Sequence, residues 1–296
     1  MLTVTFALFV IRHPRIPHKY CLVDEGRRGW WLPGGGVDGH ETFSEGARRE
    51  AREEAACSVG DDISLLQIDL SFQKLRYILS ATALSETLKT VPDEESQGAR
   101  WMSVQETLAI HNGIYPVPNA KLRDEEPLIW FSHLDEGGTG YQLNDDFLYH
   151  QVEEGAVGVK YDRRDVYTAS FHCTLVCRLP GTDEFIMDPA SSPDHPKLPT
   201  FKLRSMSILD HAREGITKLG LKNATVQGVA AVQDVRRPID KLDFRASFIV
   251  EMESVPSTLK TGRASEFLDP FDARSISRIM RGKVVPIEIF EGRHGA

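Results

Sequence analysis

Cysteine is scarce in this chain of 296 residues, which has only Cys21, Cys57, Cys173 and Cys177. None forms a CxxC pair or lies near histidines at zinc spacing. Neither a disulfide framework nor a zinc site is therefore indicated, and a reducing, cytoplasmic compartment is expected. Long hydrophobic runs are also missing. The apolar opening MLTVTFALFV lacks a basic segment and falls far short of the roughly 20 residues of a membrane span, so it reads as a buried strand and no membrane association is expected. Nor is there an excess of basic charge. With 35 Lys and Arg against 43 Asp and Glu, the net charge is −8, which argues against tight, sequence-independent binding to a DNA or RNA backbone. An acidic protein can still handle phosphates if a divalent cation bridges the charges, which directs attention to clustered carboxylates.

Hydrophobic residues make up 41% and charged residues 26%, the balance of a folded globular chain. At about 100 to 200 residues per domain, the length favours two domains. The informative run is WWLPGGGVDGHETFSEGARREAREEAAC, Trp30 to Cys57. Pro33, Gly34, Gly35 and Gly36 suit a turn whose backbone can approach a phosphate or metal closely. Thr42 followed by Glu45 matches a capping box, and the residues to Ala56 are mostly strong helix formers, so a helix is expected over 42–56. On it Glu50, Glu53 and Glu54 lie three and four positions apart and project from one side. A solvated charged face balanced by Arg48, Arg49 and Arg52 is the bland alternative, and the glycine turn at a fixed distance weighs against it.

Gly35, Glu41, Arg49-Glu50 and Ala51-Arg52-Glu53-Glu54 resemble the Nudix box, G-x5-E-x7-R-E-U-x-E-E-x-G-U, without a gap in spacing. Ala56 and Cys57 stand where the family usually has glycine and a bulky aliphatic residue. If Ala56 had to adopt a left-handed cap, the cost would be on the order of 1 kcal/mol. The resemblance implies an α/β fold, the Nudix α/β/α sandwich with a mixed sheet. It also implies hydrolysis of a diphosphate bond in a nucleoside diphosphate derivative, with Mg2+ or Mn2+ as cofactor. Carried over by position, it makes Glu50, Glu53 and Glu54, with the carbonyl of Gly35 or Gly36, the metal ligands. Arg49 would orient the acids, and Glu41 would hold the loop or Arg49. Gly34, Gly35, Gly36, Trp31, Phe72, Glu94 and Glu95 are the candidate substrate contacts. The general base stays open between a box glutamate and an acid of Asp93-Glu94-Glu95; exposed loop charge is the bland reading of the latter, as packing is for Trp31 and Phe72.

Strands are expected at Thr3 to Ile11, Tyr20 to Val23, Ser64 to Asp69 and Leu75 to Leu84, with a short helix from Val104 to Ile110. The pattern then recurs in eroded form. A strand around Phe171 precedes Leu198-Pro199, as one around Phe6 precedes Leu32-Pro33. Arg213-Glu214 follows the second proline as Arg49-Glu50 follows the first. Thr217 and Lys218 replace the later glutamates, and a lysine cannot ligate magnesium as a carboxylate does. Residues 1–134 are therefore expected to be a catalytic Nudix domain, 135–165 a linker, and 166–296 a degenerate, non-catalytic Nudix-like copy; an unrelated α/β domain is the alternative for the last.

An intact box followed by an eroded copy is similar in layout to animal Nudix hydrolases that cleave 8-oxo-guanine nucleoside diphosphates, so oxidised guanine nucleotides such as 8-oxo-(d)GDP are one substrate expectation. Dinucleoside polyphosphates or diphosphoinositol polyphosphates are the alternative, suggested by the triple glycine and disfavoured by the acidic charge. A non-catalytic regulatory module binding nucleotide or RNA is the reading from another class. A small-molecule nucleotide is the expected partner, and the chain is expected to be a monomer or homodimer, since a second copy within the chain could replace a partner subunit.

Overall fold

The computed structural model describes residues 2–290 apart from 72–73, 118–119, 144–146, 157–158, 162–163, 204–206, 239–240 and 255. In the first half, β1 (Leu2–Arg12), β2 (Tyr20–Asp24), β3 (Trp30–Trp31) and β4 (Gly34–Gly36) lead into α1 (Phe43–Ala55). Next come β5 (Ser64–Ser71), β6 (Lys74–Thr82), β7 (Gly98–Met102), α2 (Val104–His111) and α3 (Glu126–Asp135). β8 (Tyr141–Gln142), β9 (Leu148–Val152) and β10 (Val159–Tyr161) fall within the stretch expected to be a linker. The second half runs through β11 (Arg164–Cys177), β12 (Glu184–Ile186), β13 (Thr200–Lys202), α4 (Ile208–Lys218), β14 (Thr225–Arg237), β15 (Lys241–Glu251), β16 (Thr261–Arg263) and α5 (Pro270–Met280).

The same local plan occurs on both sides of one mixed sheet, ordered β8-β5-β6-β1-β11-β15-β14-β9. β1 and β11 meet antiparallel at its middle, Leu2 opposite Thr168. On its outer side β1 pairs parallel with β6, and β11 pairs parallel with β15. β4 pairs antiparallel with the middle of β1, Gly35 opposite Ala7, and β13 pairs antiparallel with β11, Phe201 opposite Cys173. The entry bonds correspond too. Phe9 N–H donates to the Pro33 carbonyl at 2.8 Å, and Leu175 N–H donates to the Pro199 carbonyl at 2.8 Å.

Alternation along the strands divides the core into layers. Ala7, Phe9 and Ile11 of β1 and Leu75, Tyr77 and Leu79 of β6 point to the α1 face, where Ala47, Ala51 and Ala55 lie at four-residue spacing on the helix. Cys173, Leu175 and Cys177 of β11 face Ile208, Ala212 and Ile216 of α4 within the same continuous cluster. Each large apolar side chain wholly buried there contributes about 1.5–3 kcal/mol. On the opposite face Leu8, Val10 and Ile78 pack under Trp130 and Phe131 of α3, while Val176, Phe185, Phe267 and Ile276 form a separate cluster near α5. The four cysteine thiols are free and buried. Among the described residues, no helix is long and apolar enough to cross a membrane.

The sequence pattern of the first half matches these elements to within a residue or two at most ends, but α3 carries no periodic signal and was not expected. The 135–165 stretch is a connection woven into the sheet, with β8 on β5, β9 on β14 and β10 on β11.

Candidate active site

α1 begins with the expected capping box. Thr42 Oγ1 accepts the Glu45 N–H at 3.2 Å, and the Glu45 carboxylate accepts the Thr42 N–H at 2.8 Å. It ends on Ala56 in the left-handed conformation, φ 51° and ψ 30°, the strained cap that the missing glycine foreshadows. Between these ends the alanine face packs down and the acids turn toward β4. Gly35 has to be glycine for this approach, since a Cβ there would lie 2.4 Å from Glu50 Oε1. The triple glycine is therefore a strand paired to β1 rather than a free turn, and its bare backbone makes room for a carboxylate.

Glu50 and Glu54 are largely buried, with side-chain exposure of 12% for Glu50 and residue exposure of 8% for Glu54. Glu54 Oε2 accepts the Gly34 N–H at 2.9 Å. Burial pushes the Glu54 carboxyl up to about 8, against the Gly34 hydrogen bond and with help from the nearby Glu50 charge. Burial also raises Glu50, although Arg49 pulls it back. Glu53 is more open and reaches Arg49 Nη1 at 3.0 Å. Arg49 is the hub. Its Nη1 also donates to Glu50 Oε1 at 2.8 Å, its Nη2 to the Gly36 carbonyl at 2.8 Å, and its Nε to Glu41 Oε1 at 2.9 Å. Burial alone would raise Glu41, but the Arg49 hydrogen bonds and the Asp38 N–H hold its carboxyl below the ordinary value.

Glu50 and Glu54 open onto a cavity of about 560 Å³ that also takes in Gly34, Gly35, Gly36, Trp31, Glu94 and Glu95. Glu94 and Glu95 arrive there because Asp93 Oδ1 turns the loop, accepting the N–H of Glu95 at 2.9 Å and of Ser96 at 3.2 Å. Ser96 Oγ in turn donates to the Glu54 carbonyl at 2.5 Å. Trp31 is buried at 4% exposure, and the Arg123 guanidinium stands 4.9 Å from its ring centroid. Phe72 lies outside the described residues.

The opposite wall was not anticipated. Arg28, Lys74, Arg76 and Arg123 line it. Lys74 and Arg76 share the strand face of Ile78, so their alternation with Leu75 and Tyr77 was a readable signal. Arg123 comes from an irregular segment and meets Glu25 at 3.3 Å across 98 residues, for which the sequence has no signal. Arg76 is held by Asp69 at 2.8 Å and Glu126 at 3.0 Å.

The oxygen-rich donor set fits a hard divalent cation. Glu50 and Glu53 share Arg49, Glu54 is held by the Gly34 N–H, and burial, with the neighbouring acids adding to it, raises the carboxyls of Glu50 and Glu54. A bound cation would stabilise their ionised forms. Asp38, His40 and Glu41, in the loop ahead of α1, also bring ligand atoms within 4.8 Å of one another.

The family model for the NUDIX domain matches residues 3–128. Residues 3–128 form a Nudix domain. A Caenorhabditis elegans protein named as a nudix hydrolase is 29% identical over 108 residues, covering 35% of this chain and 29% of that protein's length. Among solved structures, a Nudix hydrolase from Nitrosomonas europaea is 19% identical with a TM-score of 0.37, covering 47% of this chain and 76% of that one. A MutT protein from Bacillus halodurans is 19% identical with a TM-score of 0.34, covering 44% and 81%. Similarity at this level says nothing about substrate. Members of the Nudix family use divalent metal ions, in keeping with the donor set of this domain.

Outside the Nudix domain the corresponding site is filled. Counting from the N-caps Thr42 and Ser207, Glu50 corresponds to Gly215, Glu53 to Lys218 and Glu54 to Leu219. This is one residue away from the pairing of Arg213-Glu214 with Arg49-Glu50 made on sequence. The buried faces agree with the shift, since Phe43, Ala47 and Ala51 correspond to Ile208, Ala212 and Ile216. A Cβ on Gly215 would lie 2.7 Å from the Phe201 ring. The close contact of a small residue in the strand with a large one in the helix, Gly35 with Glu50, is thus reversed as Phe201 with Gly215. Arg213 and Glu214 are exposed and pair along the helix with Asp210 at 3.2 Å and Lys218 at 2.7 Å.

Proposed function

We propose that this protein hydrolyses a diphosphate bond in a nucleoside diphosphate derivative with Mg2+ or Mn2+, using the Nudix domain of the first half. The observation that carries the reading is the meeting of buried Glu50 and Glu54 across the bare Gly34–Gly36 strand, facing a basic wall over one cavity. Glu50, Glu53, Glu54 and the Gly35 carbonyl would hold the cation, which when bound supplies charge neutralisation on the diphosphate and activation of the attacking water. Arg49 fixes the directions of Glu50 and Glu53 before substrate arrives, so the acids need little reorganisation at the moment of reaction. Arg28, Lys74 and Arg123 offer charge complementarity to the substrate's anionic part. Glu94 and Glu95 stand where an exposed carboxylate can take a proton from water, and they share the role of candidate base with the box acids. The second half, without acids at the corresponding positions, is a degenerate, non-catalytic copy.

Oxidised guanine nucleotides such as 8-oxo-(d)GDP are the substrates proposed first, on the layout of an intact box followed by an eroded copy. The test is formation of the cleaved nucleotide products, resolved by chromatography, on a panel that also contains ADP-ribose and dinucleoside polyphosphates. It compares the wild type with Glu53→Gln and Glu54→Gln. Each substitution is expected to reduce turnover by at least about 100-fold, since even partners one shell out from a metal cost 10- to 100-fold. Undiminished hydrolysis in both variants would remove the site assignment, and no turnover of any substrate would favour a nucleotide-binding role.

A further inference from the structure

Arg236 of β14 is a buried cation, 2% exposed, in the half without the acids. Its Nη1 donates to the carbonyl oxygen of Asp38 at 2.8 Å, across 198 residues. Asp38 lies in the loop between the glycine strand and α1. The Asp38 N–H donates to Glu41 Oε2 at 3.2 Å, Glu41 accepts from Arg49 Nε and Nη2 at 2.9 and 3.1 Å, and Arg49 holds Glu50 and Glu53. An unbroken path of polar contacts thus joins the core of the second half to the acids of the first.

Burying a guanidinium is costly unless charge and hydrogen bonds offset it. Asp234, two residues earlier on the same strand face, supplies the charge and accepts a hydrogen bond from the Tyr77 hydroxyl. The Tyr77 ring stacks on Phe43, the first residue of α1, with centroids 4.2 Å apart, and His150 of β9 meets Phe43 edge-on at 4.6 Å. The cluster therefore grips the start of α1 twice, by the Phe43 ring and by the Asp38 backbone. A backbone carbonyl carries no side-chain identity, so this contact leaves no mark on the sequence at position 38.

We propose that Arg236 is a positioning residue for the acid cluster, and that the second half serves as a built-in scaffold for the loop 37–42 through it. The naming of Glu50 and Glu53 as the reacting end rests on the proposed function; the hold on the loop does not. Without the guanidinium the Asp38 carbonyl loses its anchor, Glu41 is free to shift, and Arg49 keeps only the Gly36 carbonyl as a fixed partner from which to aim the acids.

The test uses the full chain as Arg236→Met, Arg236→Lys and Asp234→Asn. Three quantities are followed: amide hydrogen exchange of the segment 36–42, affinity for Mn2+ without substrate, and kcat and KM on whichever nucleotide the panel identifies. Arg236→Met is expected to speed exchange in 36–42 at least tenfold, weaken Mn2+ about tenfold and lower kcat about 10- to 100-fold. KM stays within about twofold and exchange in α4 is unchanged. Arg236→Lys, which keeps a cationic donor without the planar fork, is expected to fall between, with loop exchange raised at least threefold. Asp234→Asn keeps the Arg236 bond to Asp38 and an acceptor for the Tyr77 hydroxyl but removes the facing charge, and is expected to change loop exchange and Mn2+ affinity less than Arg236→Met does. Wild-type loop exchange and Mn2+ affinity in Arg236→Met would overturn the proposal, as would an equal change across both halves or an equal effect of Asp234→Asn. If Arg236→Met does not fold, Arg236→Lys decides, and unchanged loop exchange in it overturns the proposal. Should the wild type hydrolyse nothing while the loop responds as expected, the functional reading fails and the positioning role stands.

Discussion

Glu54 and Ala56 are two residues apart and carry opposite lessons about strain. Glu54 is ordinarily a group of 4.5 and is raised to about 8 by burial. Between those values an unfolded chain has released the proton while the folded protein still holds it, so folded stability is full below 4.5 and is lost as pH rises through about 8. The metal-free protein is thus expected to melt at a lower temperature at pH 8 than at pH 5, with Glu54→Gln flattening that dependence; calorimetry in a chelator checks this, and a variant that follows the wild-type slope would contradict it. Ala56 stands at φ 51° in an exposed cap, a backbone region costly to residues with a Cβ. Ala56→Gly is expected to stabilise the protein by about 0.5–1 kcal/mol, read as a higher denaturation midpoint at unchanged slope. Both residues were visible in the sequence, one as a box acid and one as a departure from the box.

At the scale of elements, the pairing of the glycine strand with α1 makes the site. Adjacent glycines in it do different work. At Gly35 an added Cβ would strike the end of the Glu50 side chain, which can move, whereas at Gly34 it would lie 2.4 Å from the Ala7 carbonyl oxygen at φ 151°. Gly35→Ala is therefore expected to keep its melting temperature within a few degrees and lose activity at least tenfold, while Gly34→Ala loses stability; parallel melting and turnover measurements separate the two. The capping box, the helix and the strand periods were legible because each is local. α3 was not, because its apolar residues face a layer and its start at Glu125 has no side-chain cap. The basic wall was legible only at Lys74 and Arg76, which sit in a strand.

For the whole molecule, the central pairing of β1 with β11 and the core shared by α1 and α4 tie the halves together. A chain ending at residue 134 would lose β11 from the edge of β1 and β8 from β5, and would bare Tyr77 and Phe43. Such a fragment is expected to be insoluble or to lack a cooperative melt, as seen by circular dichroism and sedimentation; a soluble, cooperatively melting fragment would refute this. The sequence by itself determined the box, its helix, its acids and where β1, β2, β5 and β6 run along the chain, because spacing and periodicity are properties of neighbouring residues. It also carries, in the later half, a second strand, Leu-Pro and Arg-Glu in the same order. Only the tertiary structure decided which residue of α4 stands opposite β13, that Phe201 fills the place of a carboxylate, and that Arg236 reaches Asp38. Those facts depend on helix phase and on contacts across 198 residues, which chain folding alone brings together.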